Sequence, residues 1–207
     1  MFDHFILFIS ASWLLIITPG PDMIYVITRG VSQGRKSGVV SALGVTTGIL
    51  VHTLFASFGL AMLLMTSSLA FTVVKFAGAC YLVFLGIQSL RNRSGFDFSR
   101  RQEVVPLKSL FVQGILSNVL NPKVALFFLA FLPQFISRNT GSATLQMLML
   151  GGLFALFGMM FLVTLGYFSG HLGKWLALRQ RWTRRLHLLT GSVLIGLGLR
   201  LAFIERD

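Results

Sequence analysis

Thr18-Pro19-Gly20-Pro21-Asp22 breaks the first apolar segment of this chain, and Asn118-Val119-Leu120-Asn121-Pro122-Lys123 breaks the fourth. A proline inside a helix removes one backbone hydrogen bond and clashes with the preceding turn. Within hydrocarbon the freed carbonyls have no water to turn to, so such breaks persist only against protein or a wet cavity. Interrupted segments at matching places in two halves of a membrane chain point to a transporter's binding site.

The 207 residues are 55% hydrophobic and 12% charged, about half the charged fraction of an ordinary soluble domain. The chain therefore reads as an all-α integral membrane protein, with one transmembrane domain over 1–207. A net charge of +12 would suit nucleic acid if it covered one soluble face. The basic residues fall between apolar runs instead, so no nucleic-acid partner is expected. Cys80 is the only cysteine. That excludes an intrachain disulfide, a CxxC redox pair and a cysteine metal cluster, and Cys80 is expected to pack as a small hydrophobe. No metal and no other cofactor is implied. The first apolar run has only Asp3 and His4 before it, without a basic n-region or a small-residue cleavage site. It is expected to be a retained helix rather than a signal peptide.

Helices of about 20 apolar residues cross hydrocarbon. Six candidates lie at about 5–28, 38–63, 68–91, 109–133, 144–170 and 186–204. The first is the most broken and the last the shortest, so a five-span alternative stays open. Link 1–2 carries Arg29, Arg35 and Lys36; link 3–4 carries Arg91, Arg93, Arg100, Arg101 and Lys108; link 5–6 carries Lys174, Arg179, Arg181, Arg184 and Arg185. These three links share one face and hold 13 of the 18 Lys and Arg residues. By the positive-inside rule that face is cytoplasmic, and both termini lie outside. Three spans per half then give inverted halves, about 1–91 and 109–207, joined by a cytoplasmic link at about 92–108. The broken helices 1 and 4 fall at equivalent positions. Topology and proline placement carry this repeat, since identity between the halves is faint.

Asp22 is the only acid within a span, where a charge costs about 2.5–3.5 kcal/mol on insertion scales. It either only caps the helix that restarts after Pro21, or caps it and also contacts substrate or a proton. Lys123 lies near mid-membrane, too deep to snorkel easily, so a partner or a wet cavity is expected. Asp22 is the candidate partner if the two broken helices face each other. Asn118 and Asn121 supply amide donors and acceptors, and the backbone around Pro19, Gly20, Pro21 and Pro122 adds freed groups. Interrupted helices present N-termini to anions and carbonyls to cations, so together these residues suit a zwitterion.

Gly44, Gly48, His52, Lys75, Gly78 and Tyr81 are secondary candidates. His52 either titrates near neutral pH or is hydrogen-bonded and structural. Lys75 lies near a helix end, where snorkelling competes with a role in the site. Gly44 with Gly48, and Gly166 with Gly170, have the spacing that lets helices approach closely. No chemistry is assigned to the 20 phenylalanines.

Thr18-Pro-Gly-Pro-Asp22, the Gly44/Gly48 span and Lys75-Phe-Ala-Gly-Ala-Cys-Tyr-Leu-Val-Phe-Leu-Gly86 together resemble the LysE/RhtB family of amino-acid exporters. Asn118-Val-Leu-Asn-Pro-Lys-Val-Ala-Leu-Phe-Phe-Leu-Ala-Phe-Leu-Pro-Gln-Phe135 strengthens the match. The resemblance covers nearly the whole chain. It implies a bacterial inner-membrane protein of about six helices that exports amino acids or derivatives, driven by the proton motive force. Within that family the chain looks closer to the branch linked to homoserine, threonine and other neutral amino acids. Acids within spans 2 and 4 matter in the basic-amino-acid branch, whereas here Gly44-Val-Thr-Thr-Gly-Ile-Leu50 and Val124-Ala-Leu-Phe-Phe128 hold none. Members often carry Asn where this chain has Asp22, so the resemblance does not make Asp22 an obligatory proton carrier.

The partners so implied are an amino acid and the lipid bilayer, with a homo-oligomer left open. A membrane enzyme finds little support, because the chain has no HExxH, no cysteine pair and no paired intramembrane carboxylates. No catalytic residue is expected. A passive channel, or an efflux protein for another small metabolite, is the alternative; Asp22 and Lys123 speak for a gated binding site.

Overall fold

The computed structural model describes residues 2–60, 68–91, 103–137, 141–178 and 180–203, and all regular structure among them is helical. The first segment splits into α1, Phe2–Ile17, and α2, Pro21–Gln33, on either side of Thr18-Pro19-Gly20. The fourth splits into α5, Leu107–Val119, and α6, Pro122–Leu126, which runs on through a π turn and a 3-10 turn to Phe135. Each pair is bent by 48°. The bends have an identifiable cause, since Pro21 and Pro122 each stand at the first position of the restarted helix. A proline there lacks only a hydrogen bond that no residue at that position could make.

The unbroken helices are α3, Arg35–Phe55, α4, Ser68–Arg91, α7, Ala143–Leu178, and α8, Gln180–Phe203. Arg35–Gly59 and Ala143–Gly170 are each long and apolar enough to cross a membrane, and the two bent pairs raise the number of such spans to as many as four. The fold class is therefore that of an all-helical membrane protein with two proline-broken pairs. The elements run further than expected at several ends: α2 reaches Gln33 and α7 reaches Leu178. Arg29, expected in a link, lies inside α2, and the first link shrinks to Gly34. Gly34 has φ 89°, which a residue without Cβ adopts freely, and its N–H caps α2 on Gly30 O at 3.0 Å. Residues 92–102 of the expected connector, with Arg93, Arg100 and Arg101, lie outside the described residues, as do Arg138, Arg179 and Arg206.

Helix α3 lies between α5 and α7, and α2 packs on α3 and α7; α4 packs chiefly on α8. Buried apolar residues form two clusters. The larger joins Phe8 and Leu15 of α1, Val124 to Leu132 around α6, and Phe154, with Ala79 and Leu82 of α4 and Leu194 to Leu201 of α8. It is aromatic at its centre: Phe127 stacks on Phe154 at 4.5 Å, and Phe8 meets Phe135 edge-on at 5.4 Å. The smaller holds Val26, Ala42, Val45 and Leu162.

Around the smaller cluster the helices touch backbone to backbone. A Cβ added at Gly38 would stand 2.5 Å from Gly166 O, and one at Gly114 would stand 2.7 Å from Ser41 O. Gly44 meets Phe111 O in the same way, and Gly30 meets Ser169. Lipid gives helices no hydrophobic reason to associate, so such small-residue contacts supply van der Waals packing in its place. Gly166 thus does what its spacing suggested, against Gly38; among the described residues nothing lies within 4 Å of a Cβ at Gly170. Cys80, expected to pack as a small hydrophobe, is exposed on α4. An α4 face beyond the one covered by α8 and the larger cluster accounts for that.

Candidate functional site

Local chemistry sets up each break. Asn121 caps α6 by accepting Lys123 N–H on Oδ1 at 3.0 Å, the ordinary duty of Asn before a proline-led helix. Asp22 occupies the first turn of α2, where a carboxylate meets the positive end of the helix dipole. At the end of α1 the carbonyls of Leu15 and Thr18 have no next turn to bond them.

Those needs are met across the breaks. Asn118 Nδ2 and Asn121 Nδ2 both donate to Asp22 Oδ2, each at 2.8 Å. Lys123 Nζ donates to Thr18 O at 2.8 Å and to Leu15 O at 3.1 Å. The break after α5 therefore holds the carboxylate of the first pair, and the break after α1 holds the ammonium of the fourth. Lys123 stands near Asp22 as its opposite charge, while its hydrogen bonds go to the two carbonyls rather than to the carboxylate. Unbonded helix-end carbonyls lie within reach of its ammonium, and they answer the same need.

Asp22, Asn118 and Asn121 are 8%, 0% and 1% exposed. Two acceptors in this cluster remain unmatched: Asp22 Oδ1 and Asn118 Oδ1 are buried without a donor. Pro19 is buried, Gly20, Pro122 and Lys123 are half-buried, and Pro21 is exposed. A Cβ on Gly20 would stand 3.1 Å from Lys123 Nζ, so the bare glycine leaves room for the ammonium to cross.

Of the secondary candidates, two reach the cluster. His52 Nε2 lies 3.1 Å from Asn118 O and its ring stacks on Phe128. Gly48 lies against Asn118, where a Cβ would come within 2.9 Å of Oδ1. Gly44 is one turn away, against Phe111. Gly78 packs on Ala130, Lys75 lies over the Phe76 ring at 5.4 Å, and Tyr81 is exposed beside Phe84. Gly78 and Tyr81 thus lie against other parts of the fold than the cluster.

Sequence reasoning missed a row of residues on α2. Tyr25 Oη donates to Leu110 O at 2.6 Å, Arg29 Nη2 to Gln113 Oε1 at 3.0 Å, and Gln33 Nε2 to Val105 O at 3.0 Å. The three are spaced by four, so they line one face of the helix and fasten it to α5 and the chain before it. The spacing was visible in the sequence; the facing partner was not. Arg35 adds a cation–π contact, its guanidinium 4.9 Å above the Tyr167 ring.

The polar centre of the site, Asp22 with Asn118 and Asn121, is buried. Among the described residues no group of three or more His, Cys, Asp or Glu is placed to hold a metal.

The LysE type translocator family model matches residues 13–204. An uncharacterized membrane protein of Bacillus subtilis, YrhP, is 30% identical over 202 residues, 93% of this chain and 95% of its own. A homoserine/homoserine lactone efflux protein of Salmonella typhimurium is 35% identical over 135 residues, 65% of this chain and 66% of its own. One of the same name from Salmonella typhi is 33% identical over 135 residues, again 65% of this chain and 66% of its own. No solved structure matches the chain.

Proposed function

The chain belongs to the LysE type translocator family, and from that premise we propose that it is a secondary exporter of neutral amino acids or close derivatives. It works in the bacterial inner membrane and is driven by the proton motive force. Six spans form two inverted halves, the basic face is cytoplasmic, and both termini lie outside. Pro19, Gly20, Pro21, Asp22, Asn118, Asn121, Pro122 and Lys123 form the central site.

One observation carries this reading: each broken helix holds the charged residue of the other at its own break. A carrier needs a site that both halves build, because rocking one half against the other must open it to alternate sides. The small-residue contacts and the α2 row lie on the side of the basic links, where they close the cytoplasmic entrance. Amino compounds as cargo are supported by the efflux relatives. Homoserine and its lactone share a primary amine, while only the first has a free carboxylate.

The test is efflux from cells that overexpress the chain and are preloaded with a panel of amino acids, compared with the Pro21→Ala/Asn121→Ala variant. Faster wild-type release of a neutral amino acid, abolished by an uncoupler and by the double substitution, supports a coupled exporter. Normal efflux from a well-expressed double variant would overturn the site. Release that ignores the uncoupler and does not saturate would make it a channel.

A further inference from the structure

Resting on the export reading above, we propose that the site recognises its cargo by a protonated amine, seated on Asp22 Oδ1 and Asn118 Oδ1, and requires no free carboxylate.

The hydrogen-bond pattern at the breaks is lopsided. Each donor nitrogen there has at least one acceptor: both asparagine amides go to Asp22 Oδ2, Lys123 N–H goes to Asn121, and Lys123 Nζ goes to two carbonyls, with one N–H to spare on Nζ and on each amide. The atoms left there with no partner at all are both acceptors. Asp22 accepts two amides on one oxygen and leaves Oδ1 without a donor, and Asn118 gives its Nδ2 to Asp22 and leaves its own Oδ1 without one. Both side chains are more than nine-tenths buried, at 8% and 0% exposed, so solvent does not supply the missing donors. The two orphaned oxygens belong to one hydrogen-bonded pair, which places them within reach of a single ligand.

A primary ammonium brings three N–H donors and a positive charge, and so matches two acceptors of which one is anionic. A carboxylate brings acceptors alone. At this place it would meet no donor on the two orphaned oxygens and would set a second negative charge beside the first. Lys123 keeps one N–H beyond its two carbonyl bonds, so a carboxylate adds a contact there without being the condition for entry. Gly48 fits the same account: a Cβ at that position would stand 2.9 Å from Asn118 Oδ1 and cover it. The cargo class is then primary amines of amino-acid size, with esters and amides of amino acids included and N-acylated amino acids excluded.

The experiment takes whichever amino acid the chain releases from preloaded cells, and adds its methyl ester and its N-acetyl derivative as competitors in everted vesicles. Esterification is expected to change competition by less than about threefold. N-acetylation should weaken it by at least about tenfold, the loss of a charge-assisted hydrogen bond. An N-acetyl derivative that competes as well as the ester would overturn the proposal, and so would an ester that fails where the parent succeeds. If no amino acid is released, the export reading falls, and the amine seat is decided on purified protein. L-threonine methyl ester and L-leucine methyl ester are then tested for thermal stabilisation of the wild type and of Asp22→Asn. Stabilisation confined to the wild type supports the seat; none in either protein, or an equal shift in both, refutes it.

Discussion

Asp22 and Lys123 stand at the same place in their own helices, each directly behind the proline that restarts the chain after its break, and each reaches across to the opposite break. The negative one finds two amide donors and the positive one finds two helix-end carbonyls. Opposite charges at equivalent positions thus tie the two bent pairs together, where two like charges would have driven them apart. Both pairs are bent by 48° at these breaks.

The asparagine clamp should act as a unit. Asn118→Ala or Asn121→Ala removes one of two amides from a buried carboxylate, at a cost of about 1.5–3 kcal/mol each. In an Asp22→Asn background the same changes should cost less, because no charge is left unsolvated. Thermal unfolding of the purified proteins in a double-mutant cycle measures the coupling. Strict additivity would mean that the asparagines do not serve the charge.

Lys123→Met should destabilise by a similar amount, about 1.5–3 kcal/mol. It strips the cation from the Leu15 and Thr18 carbonyls and leaves Asp22 without the nearby opposite charge. Adding Asp22→Asn should recover part of that loss. A double variant less stable than the Lys123→Met single would show that the two charges do not answer one another.

Two glycines on unlike surfaces give a contrast. Gly38→Ala places a methyl against the Gly166 backbone and should cost about 1–3 kcal/mol. Gly152→Ala meets nothing within 4 Å and should stabilise by about 0.5–1 kcal/mol through helix propensity alone. Melting temperatures of the two purified variants should therefore move in opposite directions.

The α2 row should govern opening toward the basic links. Replacing its donors together, as Tyr25→Phe/Arg29→Met/Gln33→Leu, should let a cysteine placed at the buried Ser41 react faster in a Cys80→Ser background. A membrane-impermeant thiol reagent applied to everted vesicles reads this as a several-fold higher labelling rate. An unchanged rate would reduce the row to static packing.

The helices and their breaks were legible because both are local. Apolar length makes a membrane helix whatever its neighbours are, and proline stops one whatever faces it. The residues beside the breaks were legible too, since an acid and a lysine inside apolar segments demand a partner. Which hydrogen-bond partners they take was not. Charge put Lys123 near Asp22, but its ammonium bonds go to the carbonyls of Leu15 and Thr18, and backbone atoms leave no mark in a sequence. Gly78 and Tyr81 sit in helices of the right kind but on faces turned away from the breaks, and position along a chain does not report rotation about a helix axis.

By itself, then, the sequence determined that this is a helical membrane protein broken at two matched places, because those features follow from composition and from the missing N–H of proline. Only the tertiary structure decided that the breaks exchange their charges, with Asp22 bonded to a residue 96 positions away and Lys123 to one 105 positions away. It also decided that Gly166 rather than Gly170 is the glycine that meets Gly38, and that two acceptor oxygens are left without donors. These depend on how the helices cross, and that is fixed by packing all of them at once.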